Sequence, residues 1–273
     1  MQTNMQTNMQ TNMQSLADHL IRYCKRPDHV EHEQTAIHRA IVNDSSLVDQ
    51  PNFTRISTRT LHELFREYDQ RFFLGQTMQL VHQRSGSLNF RLSKRMTKTG
   101  GKTTRIDYGH KSASGRVRSY EITLSSHLLF QGFKTPDPKE RVSGVVCHDR
   151  LEATQRIFEH EMLHLMEMLL WVHSSCAETR FKSIARRMFG HTESTHQLPT
   201  RGEFAKRRYG LTAGQWVEFQ HEGERLTGFV NRIGQRATVL VRHPGGELYS
   251  DGHRYRKFYV PLGQLAPESM KRD

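Results

Sequence analysis

The sequence predicts an α+β protein with two folded parts, a helix-rich part containing a small sheet and a smaller all-β part after it. Two observations carry this prediction. Up to about residue 200, long apolar patterns of helical period alternate with short strand-like runs. From residue 211 onward only short strand-like runs follow, separated by glycine-containing turns. The chain of 273 residues is long enough to bury a core in each part.

Apolar stripes at helical spacing predict three helices in the first part. Thr60 is the predicted N-cap of the first helix and Gly75 its stop, around a stripe formed by Leu61, Leu64, Phe65, Tyr68 and Phe72. The second helix is predicted over Arg150–Trp171. The third is predicted over 177–189, where Gly190 follows as its C-cap.

Short apolar or alternating runs predict the strands. Runs at 78–82, 88–92 and 120–124 are expected to form one small sheet, and the Gly- and Pro-rich stretch 132–148 a loop. A basic linker at 201–208 is followed by the short strands, which predict a small SH3-like barrel.

These elements divide the chain into four segments. The opening repeats of Met-Gln-Thr-Asn cannot bury a core and are predicted to be disordered. The predicted segments are a low-complexity repeat at 1–14, an N-terminal helical extension at 15–58 with a helix near 16–24, a main domain at 59–200, and the barrel at 211–266.

Composition limits the classes of function. The formal net charge of +12 favours binding to polyanions such as nucleic acid. No apolar run approaches the roughly 20 residues needed to cross a bilayer, so no membrane partner is expected. Cys24, Cys147 and Cys176 are odd in number and far apart, which argues against a disulfide framework and a paired-cysteine zinc ribbon. We expect a reducing cytoplasmic location, where association with the nucleoid is an option.

The positive charge is concentrated in residues 91–118, called here the basic segment. It holds nine Lys or Arg residues against a single acid, Asp107. Such a run is commonly a solvated loop, but its density equally suits a surface that contacts phosphates. The residues predicted to bind nucleic acid are Lys94, Arg95, Lys98, Lys102 and Arg105.

The second predicted helix carries the motif His-Glu-Met-Leu-His at residues 160–164. His160 and His164 lie one turn apart on one helix face, where both imidazoles can bind one zinc ion. Glu161 follows the first of them and is placed to act as the general base that deprotonates a zinc-bound water. The alternative is a pair of surface histidines with no metal.

A catalytic zinc site needs a third protein ligand. His173 is the favoured candidate because it follows the end of the helix and could fold back to the metal. Cys176 and Glu178 at the start of the next helix are alternatives. His191 and His196, beyond the far end of that helix, are further candidates, although a histidine there could simply interact with the helix dipole.

Four stretches in this order make the region from about 60 to 190 resemble the SprT-like zinc metallopeptidase family, of the Spartan-related kind. They are Phe-Phe-Leu-Gly at 72–75 after Leu64 and Phe65, Ser-Lys-Arg-Met-Thr at 93–97, Ile-Thr-Leu-Ser at 122–125, and Glu-His-Glu-Met-Leu-His at 159–164. The whole chain is similar to a bacterial-type member with a C-terminal SH3-like barrel in place of a zinc ribbon.

The resemblance implies a zincin-like fold in which a small sheet packs on helices, including the metal-binding helix. It implies His160 and His164 as zinc ligands and Glu161 as general base. It also implies a third ligand, a His followed by Gly, a few residues before a Phe on the next helix. With Phe181 as that Phe, the expected position falls near Cys176 or Ala177, where this sequence has no His-Gly pair.

Members of the Spartan type cleave proteins crosslinked to DNA, which agrees with the charge of this chain. The resemblance therefore implies a zinc endopeptidase acting on proteins associated with or crosslinked to DNA. The basic segment contains the 93–97 signature, so it is expected beside the active site. Basic and aromatic residues of the barrel, such as Arg232 and Tyr259, could add nucleic-acid contacts or form its core. The alternative is a non-catalytic, nucleic-acid-binding adaptor with a structural or inactive metal domain.

Overall fold

The computed structural model describes residues 13–84, 86–109, 117–133, 140–195 and 198–268. The chain is α+β, and it divides into two compact units, Met1–Leu198 and Pro199–Asp273. Of the segment predicted to be disordered, residues 1–12 lie outside the described residues, and residues 13 and 14 already belong to a helix. None of the described helices is both long and apolar enough to cross a bilayer.

The described part of the first unit contains seven helices. They are α1 at residues 13–22, α2 Pro27–Asp44, α3 Thr58–Phe72, α4 Thr77–Gln83, α5 Ser126–Leu129, α6 Arg150–Trp171 and α7 Thr179–Phe189. The bounds predicted for α6 are confirmed, as is Gly190 as the C-cap of α7, with a left-handed φ of 72°.

Three strands, β1 Gly86–Ser93, β2 Gly101–Asp107 and β3 Arg118–Ser125, form the sheet of the first unit. Their order is β1-β3-β2, with β1 parallel and β2 antiparallel to β3. Strand β2 is therefore an edge strand, and it lies along α6. A separate ribbon pairs β4 Glu140–Val142 with β5 Val145–Cys147.

Helix α6 is the central element of the first unit. Its neighbours are the sheet and helices α2, α3 and α7, so 18 of its 22 residues are buried. The same apolar core includes Leu16, Leu20 and Ile37, so the N-terminal extension is part of this core. Arg150 at the start of α6 also fixes the end of the extension to α6. Its guanidinium donates hydrogen bonds to the backbone oxygen of Asn52 at 3.0 Å and to that of Phe53.

Three predictions for the first unit are wrong. Residues 78–82, predicted as a strand, belong to α4, because so short an apolar run cannot distinguish helix from strand. The N-cap of α3 is Ser57, one residue before Thr58, so Thr60 is inside the helix. Residues 15–58, predicted as a helical extension, contain the 18-residue helix α2 in addition to most of α1. The loop predicted at 132–148 contains the β4–β5 ribbon.

The second unit is one helix followed by an antiparallel sheet. Its elements are α8 Arg201–Tyr209, β6 Trp216–His221, β7 Glu224–Ile233, β8 Arg236–Leu248, β9 Arg254–Pro261, a 3-10 turn at Leu262–Gln264, and β10 Ala266–Pro267. The predicted basic linker is thus wrong: Thr200 and Glu203 form a capping box that starts α8 there. The strand order is β10-β6-β7-β8-β9, and no closed barrel is found among residues 198–268.

Candidate metal centre

The two motif histidines converge because α6 is regular through residues 160–164. Its N-terminus is fixed by Asp149, whose carboxylate accepts a hydrogen bond from the backbone N–H of Glu152 at 2.8 Å. Four residues apart on one face, His160 and His164 bring their Nε2 atoms to 3.1 Å from each other. Both imidazoles thus present a nitrogen to one point.

A turn after α6 brings a thiol to the same point. Val172 adopts a φ of 67°, a left-handed conformation that is strained for a β-branched residue. Its carbonyl oxygen accepts a hydrogen bond from the Arg105 guanidinium on β2 at 2.6 Å. The chain then reverses, and the Cys176 sulfur and the two histidine nitrogens all lie within 4.8 Å of one another.

The chemistry of these donors fits zinc. Two imidazoles and a thiolate are a three-ligand set that leaves a fourth tetrahedral position open. With metal–nitrogen bonds of about 2.0–2.1 Å, two tetrahedral nitrogens are separated by about 3.3 Å. The 3.1 Å between the Nε2 atoms agrees with that separation. The sulfur could complete the set with small side-chain movements.

A chain of hydrogen bonds orients His164 from behind. Its Nδ1 lies 2.7 Å from the hydroxyl of Ser174, and that hydroxyl is 2.8 Å from the Glu167 carboxylate. Glu167 is buried and also accepts a hydrogen bond from Arg180 at 2.7 Å. Such outer contacts fix the ring orientation and tautomer of a metal-binding histidine. Glu167 thus supports His164 through Ser174 and is not one of the grouped candidate ligands.

Glu161 is held between α6 and the edge strand β2. Its carboxylate accepts a hydrogen bond from the Thr103 hydroxyl at 2.7 Å. Opposite it lies Gly101, where an added Cβ would stand 2.6 Å from Glu161 Oε1 and 2.8 Å from the Ile157 side chain. Only glycine lets β2 approach the carboxylate this closely.

The candidate metal-binding side chains open into a cavity of about 400 Å³. His160, Glu161, His164 and Cys176 line one part of it, and Lys98 and Lys102 line another. Ser194 and Thr195, which follow α7, also contribute. The ring of Phe181 packs against both imidazoles, with centroid distances of 4.8 Å to His160 and 4.6 Å to His164. The cavity could admit a chain segment to the metal-binding residues.

The structure brings Cys176 to the histidine pair and leaves the other candidate ligands elsewhere. The favoured candidate, His173, has a 72% exposed side chain whose Nε2 lies 3.1 Å from the Glu178 carboxylate. The ring of His191 points into the core and lies 2.8 Å from Glu159. His196 is outside the described residues. The favoured candidate His173 is therefore corrected to Cys176, because of the two only the Cys176 side chain lies with the histidine nitrogens.

The predicted nucleic-acid residues divide into two groups. Lys94, Arg95, Lys98 and Lys102 are exposed, and no described acidic group forms an ion pair with them. Arg105 is different: its guanidinium pairs with Asp107 at 3.0 Å, which leaves less of its charge for a ligand. In the basic segment Arg118 also pairs with Asp107, and Arg91 pairs with Glu121.

A second polar cluster lies immediately beside the metal centre, in the core. The carboxylate of Glu159 is fully buried, and we call its surroundings the Glu159 cluster. Its contacts are Tyr68 Oη at 2.7 Å, His191 Nε2 at 2.8 Å, Gln34 Nε2 at 2.9 Å and Arg156 Nη1 at 3.0 Å. Burial, reinforced by the Glu159 charge, holds the pKa of Tyr68 well above its usual value, so its hydroxyl remains a donor.

Sequence reasoning missed three residues that shape the site: Gly101, Thr103 and Ser174. A Gly-Gly pair at 100–101 follows the 93–97 signature in the sequence, and that pair is the signal that could have marked Gly101. For Thr103 and Ser174 no sequence signal exists, because their partners lie far along the chain or across a turn.

Comparison with protein-family models, curated proteins and solved structures gives no match for this chain.

Proposed function

We propose that the chain is a zinc-dependent endopeptidase of SprT-like type, with zinc bound by His160, His164 and Cys176. One observation carries the proposal: the two imidazole nitrogens and the thiol converge beside a carboxylate, at the wall of an open cavity. A structural zinc site is normally closed by four protein ligands, whereas three ligands and an open position are typical of catalytic zinc.

Each residue has a defined part in peptide hydrolysis. When bound, zinc would lower the pKa of a water molecule and polarise the scissile carbonyl. Glu161 accepts the proton of the attacking water and later donates it to the leaving amine. Thr103 holds the Glu161 carboxylate in place, and Ser174 with Glu167 keeps Nε2 of His164 directed at the metal.

We further propose that the protein substrates are those associated with or crosslinked to DNA. The support is the charge at the cavity, since Lys98 and Lys102 line it and Lys94 and Arg95 are exposed on the loop before β2. DNA held by these lysines would bring an attached protein to the metal by proximity. A reducing cytoplasm, at or near the nucleoid, suits this role and the three free thiols Cys24, Cys147 and Cys176.

The finer fold assignments belong to the same proposal. For the first unit we propose a zincin-like SprT domain, supported by the packing of α6 on a small sheet with an edge strand beside the motif. For the second unit we propose an SH3-like arrangement, supported by five short antiparallel strands in which the last, β10, pairs with the first, β6.

The competing proposal is a non-catalytic, nucleic-acid-binding adaptor. The absence of a His-Gly pair at the third-ligand position favours it, because the SprT-like resemblance implies one there. The position of Glu161 argues against it, since a purely structural site has no use for a carboxylate beside its metal. We therefore prefer the enzyme.

Metal analysis together with a cleavage assay tests the proposal. Purified protein is expected to hold about one zinc per chain. Glu161→Gln should keep that zinc and lose cleavage of a DNA-bound protein by roughly 10²- to 10⁴-fold, the usual contribution of a general base. Wild-type protein that binds zinc and DNA but cleaves nothing would favour the adaptor, and protein that takes up no zinc would overturn both versions of the metal site.

A further inference from the structure

The outer face of the second unit's sheet carries aromatic and basic side chains in register. Across the strands, Trp216 of β6 lies beside Phe229 of β7, and Phe229 lies beside the buried Leu240 of β8, which lies beside Lys257 of β9. The next row along contains Arg232, Thr238 and Tyr259. We call these two rows the aromatic-basic face.

Apart from the buried Leu240, these side chains lie outside the apolar core of the second unit. The core uses the opposite side of the same strands, with Val217, Val230, Val239 and Val260 directed inward. On the outer side, Trp216 is 45% exposed and Tyr259 is 63% exposed. Aromatic rings this exposed on a regular sheet can stack with a planar ligand.

The charge on this side of the sheet is unbalanced towards positive. Two acids of the unit have basic partners, since Glu218 pairs with Arg225 and Glu247 pairs with Lys257. Asp251, which accepts a hydrogen bond from Tyr255, and the exposed Glu268, whose backbone N–H donates to Trp216, keep their charge. By contrast, among residues 198–268, no ion pair is found for Arg232, Arg236 or Arg242. An anionic ligand therefore meets available guanidinium groups next to exposed rings.

We propose that the aromatic-basic face binds single-stranded nucleic acid. Stacking on Trp216 and Tyr259 would hold the bases, and Arg232 with Arg236 would hold the phosphates. The two rings are three strands apart, about 15 Å at the usual strand spacing, which a few nucleotides can span. An acidic protein segment is the less suitable occupant, because it supplies the charge but no planar groups for two separated rings.

This surface is separate from the metal centre and deepens the proposed function. The inference rests on the proposed peptidase function only for the reason why the chain would bind DNA, because binding itself needs neither zinc nor Glu161. A protein carried on a strand held here would be a substrate with its DNA already bound. The binding measurement can therefore succeed or fail independently of peptidase activity.

The test is binding of a fluorescent oligothymidine of roughly ten nucleotides to the full-length chain, measured by anisotropy. Trp216→Ala and Tyr259→Ala should each weaken binding by roughly five- to 100-fold, the range for loss of one stacked base. Trp216→Phe keeps a ring and should restore most of the affinity. The matched control is Leu248→Ala, which removes a 65% exposed apolar side chain from the same unit and should change nothing.

The phosphate contacts are tested by salt dependence. Arg232→Ala should reduce the slope of log affinity against log salt by roughly 0.7, the value for one phosphate of a single strand. Arg225→Ala, whose guanidinium is paired with Glu218, is the control and should leave the slope unchanged. Circular dichroism of each variant checks that the sheet is folded.

A direct signal for stacking comes from the second tryptophan. In a Trp171→Phe background all tryptophan emission comes from Trp216, and oligothymidine should quench it.

If folded Trp216→Ala and Tyr259→Ala bind as tightly as wild type, or the emission is unchanged at saturation, the proposal is overturned. If binding is lost only when Lys98 and Lys102 are changed, the nucleic-acid surface lies in the first unit and the proposal is overturned. If Glu161→Gln loses cleavage but still binds oligothymidine, the result supports binding at a surface separate from the metal centre.

Discussion

The metal centre and the Glu159 cluster stand side by side on α6 and use the same kinds of side chain, yet their surroundings differ. Glu159 is fully buried and has four polar side chains around it. The neighbouring His160 and His164 instead direct their Nε2 atoms to a common point beside a cavity, together with Cys176. Side chains of the same kinds on one helix therefore lie either enclosed among polar partners in the core, as at Glu159, or at the wall of a cavity, as at His160 and His164.

The difference predicts that two similar substitutions change the stability of the protein by very different amounts. Glu159→Gln leaves Arg156 buried without its counter-charge and replaces an acceptor oxygen by an amide that cannot accept from Tyr68, His191 and Gln34 together. We expect the free energy of unfolding to fall by roughly 3–5 kcal/mol, as for a broken buried ion pair. Urea titration measures it.

Glu161→Gln is the matched control, because the amide oxygen that it introduces could still accept the hydrogen bond from Thr103. It should change the free energy of unfolding by less than about 1 kcal/mol, since the hydrogen bond from Thr103 is kept and no buried counter-charge is removed. Equal destabilisation by both substitutions would remove the distinction between the two clusters.

The next largest effect is expected for zinc affinity when the third proposed ligand is replaced. Cys176→Ala should weaken zinc binding by more than the roughly 10- to 100-fold typical of losing an outer-shell partner, which is the loss expected for Ser174→Ala. His173→Ala should leave zinc affinity unchanged, because that ring is exposed and faces Glu178. Competition with a chromophoric chelator gives the three affinities. Loss of zinc in His173→Ala alone would restore His173 as the ligand.

Gly101→Ala tests how closely β2 must approach Glu161. The added Cβ would overlap the carboxylate, so Glu161, the proposed general base, must move while the histidines stay in place. We expect cleavage to fall by on the order of 10²-fold, as for a misplaced catalytic group, with zinc content unchanged. Gly109→Ala in the same region, where an added Cβ meets nothing within 4 Å, is the control.

The smallest expected effect concerns Asp149, which starts α6. Burial alone would raise the pKa of its carboxyl, but hydrogen bonds from His38 and from the Glu152 backbone N–H outweigh burial and lower it. Because the folded pKa is the lower one, the ionised carboxylate stabilises the fold above the unfolded pKa of about 3.9. That stabilisation is lost as pH falls through the folded value.

Asp149→Ala should therefore cost about 1 kcal/mol at neutral pH, the usual worth of an N-cap. Asp149→Asn keeps the cap and should cost less, and its difference from wild type should shrink as pH falls below about 4. Thermal unfolding across pH measures both. A difference that stays constant with pH would show that the charge of Asp149 is not involved.

The helices that the sequence predicted best are those with long apolar stripes, such as α6 and α7. Period and capping residues are local properties, so Arg150–Trp171 and the Gly190 C-cap could be read directly. Helices α2 and α8 were missed because their exposed faces are strongly polar and little of each sequence is apolar. The short run at 78–82 was ambiguous for a different reason, since helix and strand differ little over five residues.

At the site, the sequence by itself determined that His160, Glu161 and His164 share a helix, because their spacing is local and the helix is regular. Only the tertiary structure decided that Cys176 meets them, that Thr103 and Gly101 enclose Glu161, and that His191 serves Glu159. Those contacts depend on a turn at Val172 and on how closely β2 approaches α6. Neither is encoded in the spacing of residues along the chain, since each arises from packing between segments distant in sequence.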